Sequence, residues 1–506
     1  MSLGTMSSRI LGLVRDMVLA AAFSTTFKDA FVVAFRLPNL FRRLFGEGSL
    51  NVSFIPVYVE KKSLNPGSEQ QLSSAIFSLL ILVTSTLSLL GVLFMPQIMS
   101  VVLAGEGFQS VEGKLDMTIV LGRIMFSYLF LVTTYAFFMA IANAHKKFLI
   151  PALAPAVFNL VFIIFALLPN EWGRVEGEVA AWGVLFGGVA QVLMVGVQLL
   201  RMGKIPYWTL KFKVPGVALV LKNMLPGLLG LGVLQIMSVV NIYFASRLNE
   251  GAHSFIYFAD RILELPQSLI AISLGAALLP SLSEYWSTGE KQKMRNFGQY
   301  SLRLLLFLAL PSAVGMFVLA EPIVNLLYGR GEFSLQDVQT TAEIVRLYSF
   351  LLVASSFVKV LIPSFYAIKN TLTPAIASVI CLIIHLVMAH FLTNMMGLNG
   401  LVLATVISGF NNMFLLLLFY FKHIGPFIFK PMFKSLYKII LPLVGLGLVS
   451  FFGHQLLQML FEGLIYKLML LPLIAIAGLV YFALAHFCRV PEFEPISRRI
   501  KLRLKI

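Results

Sequence analysis

Residues 29–60 read DAFVVAFRLPNLFRRLFGEGSLNVSFIPVYVE. A helix needs about 20 apolar residues to cross a bilayer, and this run is long enough. Its apolar residues do not alternate with period two, which argues against a strand of a transmembrane barrel. Yet it holds Asp29, Arg36, Arg42, Arg43 and Glu47. An ionisable side chain in a span costs about 2.5–3.5 kcal/mol at the helix centre on insertion scales, so such residues face protein or a watery cavity. Arg36, Leu40, Arg43 and Glu47 follow i, i+4, i+7, i+11, which puts two arginines and a glutamate on one face of a continuous helix. Pro38, Gly46 and Gly48 interrupt that helix, a pattern tolerated at membrane depth where the freed backbone lines a cavity or is buried in protein.

The rest of the chain has the same character. Of 506 residues, 58% are hydrophobic and 12% charged, and the mean hydropathy is +0.89. A soluble domain has about 45–50% and about 25%, so the bilayer is the solvent. Apolar runs lie near 7–24, 29–60, 72–103, 116–143, 148–169, 179–201, 216–248, 252–285, 296–328, 337–367, 372–394, 398–421, 434–459 and 464–487. They predict an all-α polytopic membrane protein of about fourteen spans. Arg15 and Asp16 break the apolar core that a signal peptide would need, so the first run reads as a membrane helix.

The formal net charge of +16 would suggest nucleic acid in a soluble protein. Here the basic residues sit between spans and in the tail RVPEFEPISRRIKLRLKI, so no nucleic-acid partner is expected. With the N-terminus inside, the inner segments hold about 22 Lys and Arg, against Lys28, Lys114, Arg174 and Arg330 outside. That bias places both termini in the cytoplasm. Cys381 and Cys488 are too few for a disulfide framework or metal cluster, so both read as packing residues.

An internal repeat emerges next. Phe35-Arg36 with Pro56, and Asp260-Arg261 with Pro280, are related by an offset of about 225 residues, as are FMAIANAHKKFLIPA and SFYAIKNTLTPA. Two separated patches at one offset suggest a duplicated six-span unit inserted in one orientation, as in transporters with parallel repeats. The predicted organisation is 1–201 as an N-terminal lobe, 216–421 as a C-terminal lobe, 434–487 as two extra spans and 488–506 as a basic tail.

Charges inside spans are concentrated in the first two runs, with Arg15, Asp16, Asp29, Arg36, Arg42, Arg43 and Glu47, and in the eighth, with Asp260, Arg261 and Glu264. Asp260 and Glu264 flank Arg261 within one turn, so both can orient it, and Pro266 should kink the helix that follows. As repeat counterparts, Arg36 and Arg261 would lie on opposite walls of a cavity between the lobes. Arginine stays charged and grips phosphate oxygens bidentately, so such a cavity reads as a phosphate or pyrophosphate site. The competing readings are snorkelling for Arg42, Arg43 and Arg123, and a purely structural network around Arg261. His385 and His486 read as core or interface residues. Gln235 and Asn241 are the buried polar groups of the seventh run and the possible weak cation site. The sequence has no P-loop, H-E-x-x-H, C-x-x-C or G-x-S-x-G motif, so the expectations are no enzyme, no cofactor and no metal, with an ion gradient or the membrane potential as energy source.

The segments SSRILGLVRDMVLAAAFS, DAFVVAFRLPNLFRRLFGEGSLNVSFIPVYVE, YFADRILELPQSLIAISLGAALLPSLSEYW and YGRGEFSLQDVQTTAEIVRLYSF resemble the MurJ (MviN) lipid II flippase family. The resemblance implies the multidrug/oligosaccharidyl-lipid/polysaccharide exporter fold, with fourteen helices in two six-helix lobes and a final pair forming a lipid-tail groove. It implies flipping of an undecaprenyl-pyrophosphate-linked peptidoglycan precursor across the bacterial inner membrane by a monomer among membrane lipids. It also implies that Arg15, Arg43 and Arg261 are headgroup ligands, and that Asp16, Asp29, Glu47 and Glu264 serve in gating and orientation. Asn241 and the LIIH stretch replace the acids that some relatives associate with sodium, which favours drive by the membrane potential. A flippase for another polyprenyl-linked glycan, a multidrug antiporter and a non-transporting scaffold are the alternatives.

Overall fold

The computed structural model describes residues 2–42, 49–274 and 278–494. Among them every regular element is helical. Backbone contacts divide the chain into two compact units, Met1–Ser254 with Arg330–Phe333, and Phe255–Gly329 with Ser334–Ile506. The helix Val217–Ala245 thus packs with the first unit, whereas the sequence repeat assigns it to the second half. The first measures contact and the second kinship.

Nine helices among the described residues are long and apolar enough to cross a membrane. Ser2–Ala22, Thr25–Arg42 and Ala252–Leu274 fall short for one reason: each carries three or more charged side chains. The run 29–60 is not one helix in the described residues. It contributes Thr25–Arg42 and Ser49–Leu64, and Arg43 and Glu47 lie outside the described residues. The face proposed for Arg36, Arg43 and Glu47 is therefore described only at Arg36. The runs 372–394 and 398–421 follow one another in the stretch Leu372–His423, which is broken between them at Gly397, whose φ of 58° and ψ of −130° suit a residue without a Cβ.

In the first unit, Leu149–Ala166 packs against both Ser2–Ala22 and Glu178–Arg201. Little hydrophobic force acts between helices in lipid, so close backbone approach through small residues takes its place. A Cβ at Gly187 would come within 2.8 Å of Phe158, and one at Gly188 within 2.5 Å of Tyr128. An extended segment then runs along Ser68–Leu93. Gln70 Nε2 donates to the Ile205 carbonyl at 2.6 Å, and the backbone N–H groups of Tyr207 and Thr209 donate to Ser74 Oγ at 3.1 Å and Ser78 Oγ at 2.8 Å. Buried hydroxyls thus satisfy donors that a helix would have satisfied itself.

In the turn after Tyr128–Ala144, His145 Nε2 lies 3.0 Å from Tyr58 Oη and its Nδ1 lies 3.2 Å from Lys62 Nζ. An ammonium can only donate, so Nδ1 accepts and the imidazole proton sits on Nε2. Burial, followed by the cations of Lys62 and Lys204, holds His145 below the ordinary histidine value, with Glu69 opposing.

In the second unit, Leu335–Ala367 is the central helix, touching Leu372–His423, Lys291–Val318, Leu278–Ser287 and Ala320–Leu327. The pair Phe429–Leu460 and Gly463–Phe487 packs on Lys291–Val318, where Tyr481 Oη donates to the Phe307 carbonyl at 2.7 Å. The chain then folds back so that Glu492, fully buried, accepts from Ser435 Oγ at 2.6 Å and pairs with Arg303 at 3.1 Å.

Glu492→Ala would leave Arg303 uncompensated and should cost about 3–5 kcal/mol. A lowered unfolding midpoint of the purified protein in detergent checks this, with Glu284→Ala at an exposed position as the unaffected control. The depressed His145 makes a second prediction. The native state favours the neutral ring, so stability is complete above the ordinary value of 6.5 and declines as pH falls below it toward the native value. His145→Gln should flatten that acidic limb of the unfolding midpoint against pH.

Candidate functional site

The first turn of Thr25–Arg42 gathers polar contacts from distant parts of the first unit. Ser24 donates through its N–H to Glu176 at 2.8 Å and also through its hydroxyl, and the Thr26 hydroxyl donates to Glu250. Lys28 is fully buried, donates to the Glu332 carbonyl at 3.1 Å and lies 4.9 Å from the Phe333 ring centre. The Glu332 N–H donates in turn to the Ala21 carbonyl at 3.0 Å, which straps residues 330–333 to the end of the first helix.

Asp29 is the centre of this clasp. Its Oδ2 accepts from Lys114 Nζ and the Gly251 N–H, both at 2.8 Å, and its Oδ1 accepts from the Ser254 N–H and Oγ, both at 2.9 Å. Asp29 and Lys114 are each 1% exposed, and Lys114 also lies 4.5 Å from the Phe108 ring centre. Four donors compensate a carboxylate taken out of water. The loop reading of Lys28 and Lys114 is therefore corrected: both are interior partners of the clasp.

Arg15 and Asp16 form a second group. The guanidinium grips Asp16 Oδ1 through Nε at 3.0 Å and Nη2 at 2.7 Å, and Nη1 donates to Asn159 Oδ1 at 3.2 Å. Asn159 is held by the Ser8 carbonyl at 3.1 Å, and the Arg15 guanidinium lies 6.0 Å from the Phe35 ring centre. Arg42 donates through Nε to Asn39 Oδ1 at 3.0 Å, and Asn39 donates to the Phe35 carbonyl at 3.0 Å, bracing the helix around Pro38. Arg36 is half-buried. Gln235 is buried and the half-buried Asn241 follows six residues on, which turns the two side chains about 120° apart on a helix. Among the described residues no cluster of His, Cys, Asp and Glu could hold a metal ion.

The second unit carries Arg261, which pairs with Glu264 Oε2 at 2.6 Å and lies 4.7 Å from the Tyr257 ring centre. The pair is partly open, with side-chain exposures of 29% and 50%. Asp260 beside it is half-buried. The sequence reading missed Lys359, whose Nζ donates to the Gln267 carbonyl at 2.8 Å just past Pro266. Its signal was available: a charged residue deep in an otherwise apolar run.

A family model described as lipid II flippase MurJ matches residues 19–471. The chain is 41% identical over 500 residues to a probable lipid II flippase MurJ of Bdellovibrio bacteriovorus, covering 98% of this chain and 95% of the relative. Among solved structures it is similar to a lipid II flippase MurJ in an inward closed conformation, at a TM-score of 0.78 and 27% identity, over 96% of this chain and 98% of the other. It is also similar in fold to an inward-facing multidrug resistance transporter of the MATE family and MOP superfamily. The TM-score there is 0.71 at 14% identity, covering 82% of this chain and 94% of that one.

The clasp predicts strong coupling between its two buried charges. Asp29→Ala and Lys114→Met should each destabilise by about 3–5 kcal/mol, because each strands an ion. The double variant should cost at least about 1 kcal/mol less than their sum, as measured by a double-mutant cycle on unfolding in detergent.

Proposed function

The chain belongs to the lipid II flippase MurJ family, and on that premise we propose how its own residues move lipid II across the bacterial inner membrane. It is a multi-pass transporter that flips the lipid-linked peptidoglycan precursor from the cytoplasmic to the periplasmic leaflet by alternating access, and so serves cell-wall synthesis. The observation that carries the mechanism is ion pairing inside apolar helices: in a chain 58% hydrophobic, Arg15 pairs with Asp16 and Arg261 with Glu264 away from the helix ends.

Arg15, Arg36, Arg42, Arg43 and Arg261 are the ligands of the pyrophosphate and sugar. Guanidinium groups remain charged in any environment and match phosphate oxygens in geometry. Asp16, Glu47, Asp260 and Glu264 hold those arginines while the substrate is absent and release them to it. The Arg261–Glu264 pair suits that exchange because it is partly open to solvent. The Asp29 clasp is the outer gate. Its release frees Gly251 and Ser254 from the first turn of Thr25–Arg42 and requires substitute partners for Lys114 and Asp29 together.

Residues 1–201 and 216–421 act as the two rocking lobes, 434–487 cradles the polyprenyl tail, and 488–506 lies with the N-terminus in the cytoplasm. The protein works as a monomer, breaks no bond and uses no cofactor. The membrane potential acting on the site charges drives the cycle, at about 2.3 kcal/mol per charge per 100 mV. Gln235 and Asn241 then serve packing and polarity rather than a coupling cation.

Cells depleted of their own flippase should be rescued by this chain and not by Arg15→Ala, Arg43→Ala or Arg261→Ala variants that reach the membrane at normal levels. Rescue by all three would make the arginines structural. Failure of the unaltered chain would favour another polyprenyl-linked glycan as cargo. In vesicles, an imposed potential should change the rate of transport, and indifference to it would remove the potential as the drive.

A further inference from the structure

Asn159 is the one polar residue of the 18-residue helix Leu149–Ala166. A polar group in such a span is costly unless protein supplies its partners. Asn159 is buried, and both ends of its amide are bound to the first helix: Oδ1 accepts from Arg15 Nη1 at 3.2 Å, and Nδ2 donates to the Ser8 carbonyl at 3.1 Å. A guanidinium can only donate and a carbonyl can only accept, so the amide has one orientation here, and neither aspartate nor leucine could serve both partners. The packing of Ser2–Ala22 delivers these groups. Gly4, Ser8, Gly12 and Arg15 stand at i, i+4, i+8 and i+11, on one face of that helix. The small residues let the two backbones come close: a Cβ at Gly4 would lie 2.9 Å from Ala152 Cβ, and one at Gly12 would lie 3.4 Å from Asn159 Nδ2.

The Arg15 guanidinium is divided between two partners. Asp16 Oδ1 takes Nε at 3.0 Å and Nη2 at 2.7 Å, the edge with which arginine grips an oxyanion side-on, while Asn159 takes Nη1. A phosphate that displaces Asp16 competes for that edge and leaves the Asn159 bond intact. We infer that Asn159 is a positioning residue for headgroup binding: it keeps Arg15 in place through Nη1 while the Nε and Nη2 edge passes from Asp16 to a lipid-linked phosphate. The inference rests on the flippase reading, in which Arg15 is a headgroup ligand. Neutrality suits the amide to this task. Asp16 orients Arg15 and also cancels its charge, whereas Asn159 orients it and leaves the charge to attract an anion. A guanidinium held through Asp16 alone would regain its rotamer freedom on release, and binding would have to restore the lost order.

An amide that only joined two helices would support folding and act on binding independently of Arg15. The full-length protein in nanodiscs is titrated with undecaprenyl diphosphate, and its unfolding midpoint is recorded. Asn159→Leu is of similar size, suits an apolar span and removes both amide bonds. It should weaken binding by tenfold or more. In an Arg15→Ala background the same change should have little further effect, because Asn159 acts through Arg15. Gly4→Ala crowds the same helix pair without touching the amide, so it should lower the unfolding midpoint and leave affinity unchanged. Where Asn159→Leu fails to fold, Asn159→Asp takes its place: its carboxylate can accept from Nη1 but neutralises the arginine, so binding should weaken likewise. Wild-type affinity in the Asn159 variant, an equal loss with and without Arg15, or an equal loss in Gly4→Ala overturns the inference. If the unaltered protein does not bind the diphosphate lipid, or Arg15→Ala binds it as tightly, the headgroup reading of Arg15 fails first and the role of Asn159 falls with it.

Discussion

Asp29 accepts four hydrogen bonds in a region closed to water, and much of the first unit is arranged to supply them. A lone carboxylate there would shed its charge or unfold its surroundings. The donors come from the start of Lys114–Phe126 and from the turn before and first residues of Ala252–Leu274, so satisfying one anion fixes the mutual position of three helix ends. Lys28, beside Asp29 on the same helix, ties the strap at residues 330–333 to the same place as a fourth strand of chain, and the Ala21 carbonyl of the first helix joins it as a fifth. A contact of this kind is firm while complete and weak once one donor leaves, because the remaining groups lose their compensation together. That is the behaviour a gate needs.

Arg15 and Arg261 illustrate two ways of storing a cation in a membrane. Arg15 is held by Asp16 and by Asn159 from another helix, and is nearly buried at 12% exposure. Arg261 has its acid one turn away on its own helix, and both are more open. An i, i+3 pair on one helix can part by rotating two side chains, whereas the Arg15 network is shared between two helices. The two arginines therefore differ in how readily they can leave their partners.

Most of the architecture could be read from the sequence because lipid imposes one pattern, long apolar runs ending at charges or Gly/Pro breaks. Arg15, Asp16, Asp29 and Arg261 stood out for the same reason, as charges where none should be. Lys28 and Lys114 read as loop residues from sequence because they sit next to run boundaries, and hydropathy cannot tell an exposed helix end from one closed by a distant carbonyl or carboxylate. Lys359 went unnoticed because a single lysine leaves a 33-residue run plainly apolar. Pro38 does not interrupt its helix as the sequence suggests, because Thr25–Arg42 continues through it, and Gly46 and Gly48 lie outside the described residues. The segment along Ser68–Leu93 offered no signal at all, since its partners are serines from a helix that precedes it by about 130 residues.

That segment carries its own metric. Residues 205, 207 and 209 meet residues 70, 74 and 78, so two steps of extended chain are matched to four steps of helix. The extended chain advances about 6.6 Å per pair of residues and the helix about 6.0 Å per four, a mismatch of about 0.6 Å at each rung. Two lattices so nearly commensurate can be laid side by side for a short distance and then drift out of phase, which sets a natural limit on the ladder's length. A single inserted residue would turn the N–H groups from the serines to the opposite side, so this linker is a spacer whose length is counted in pairs.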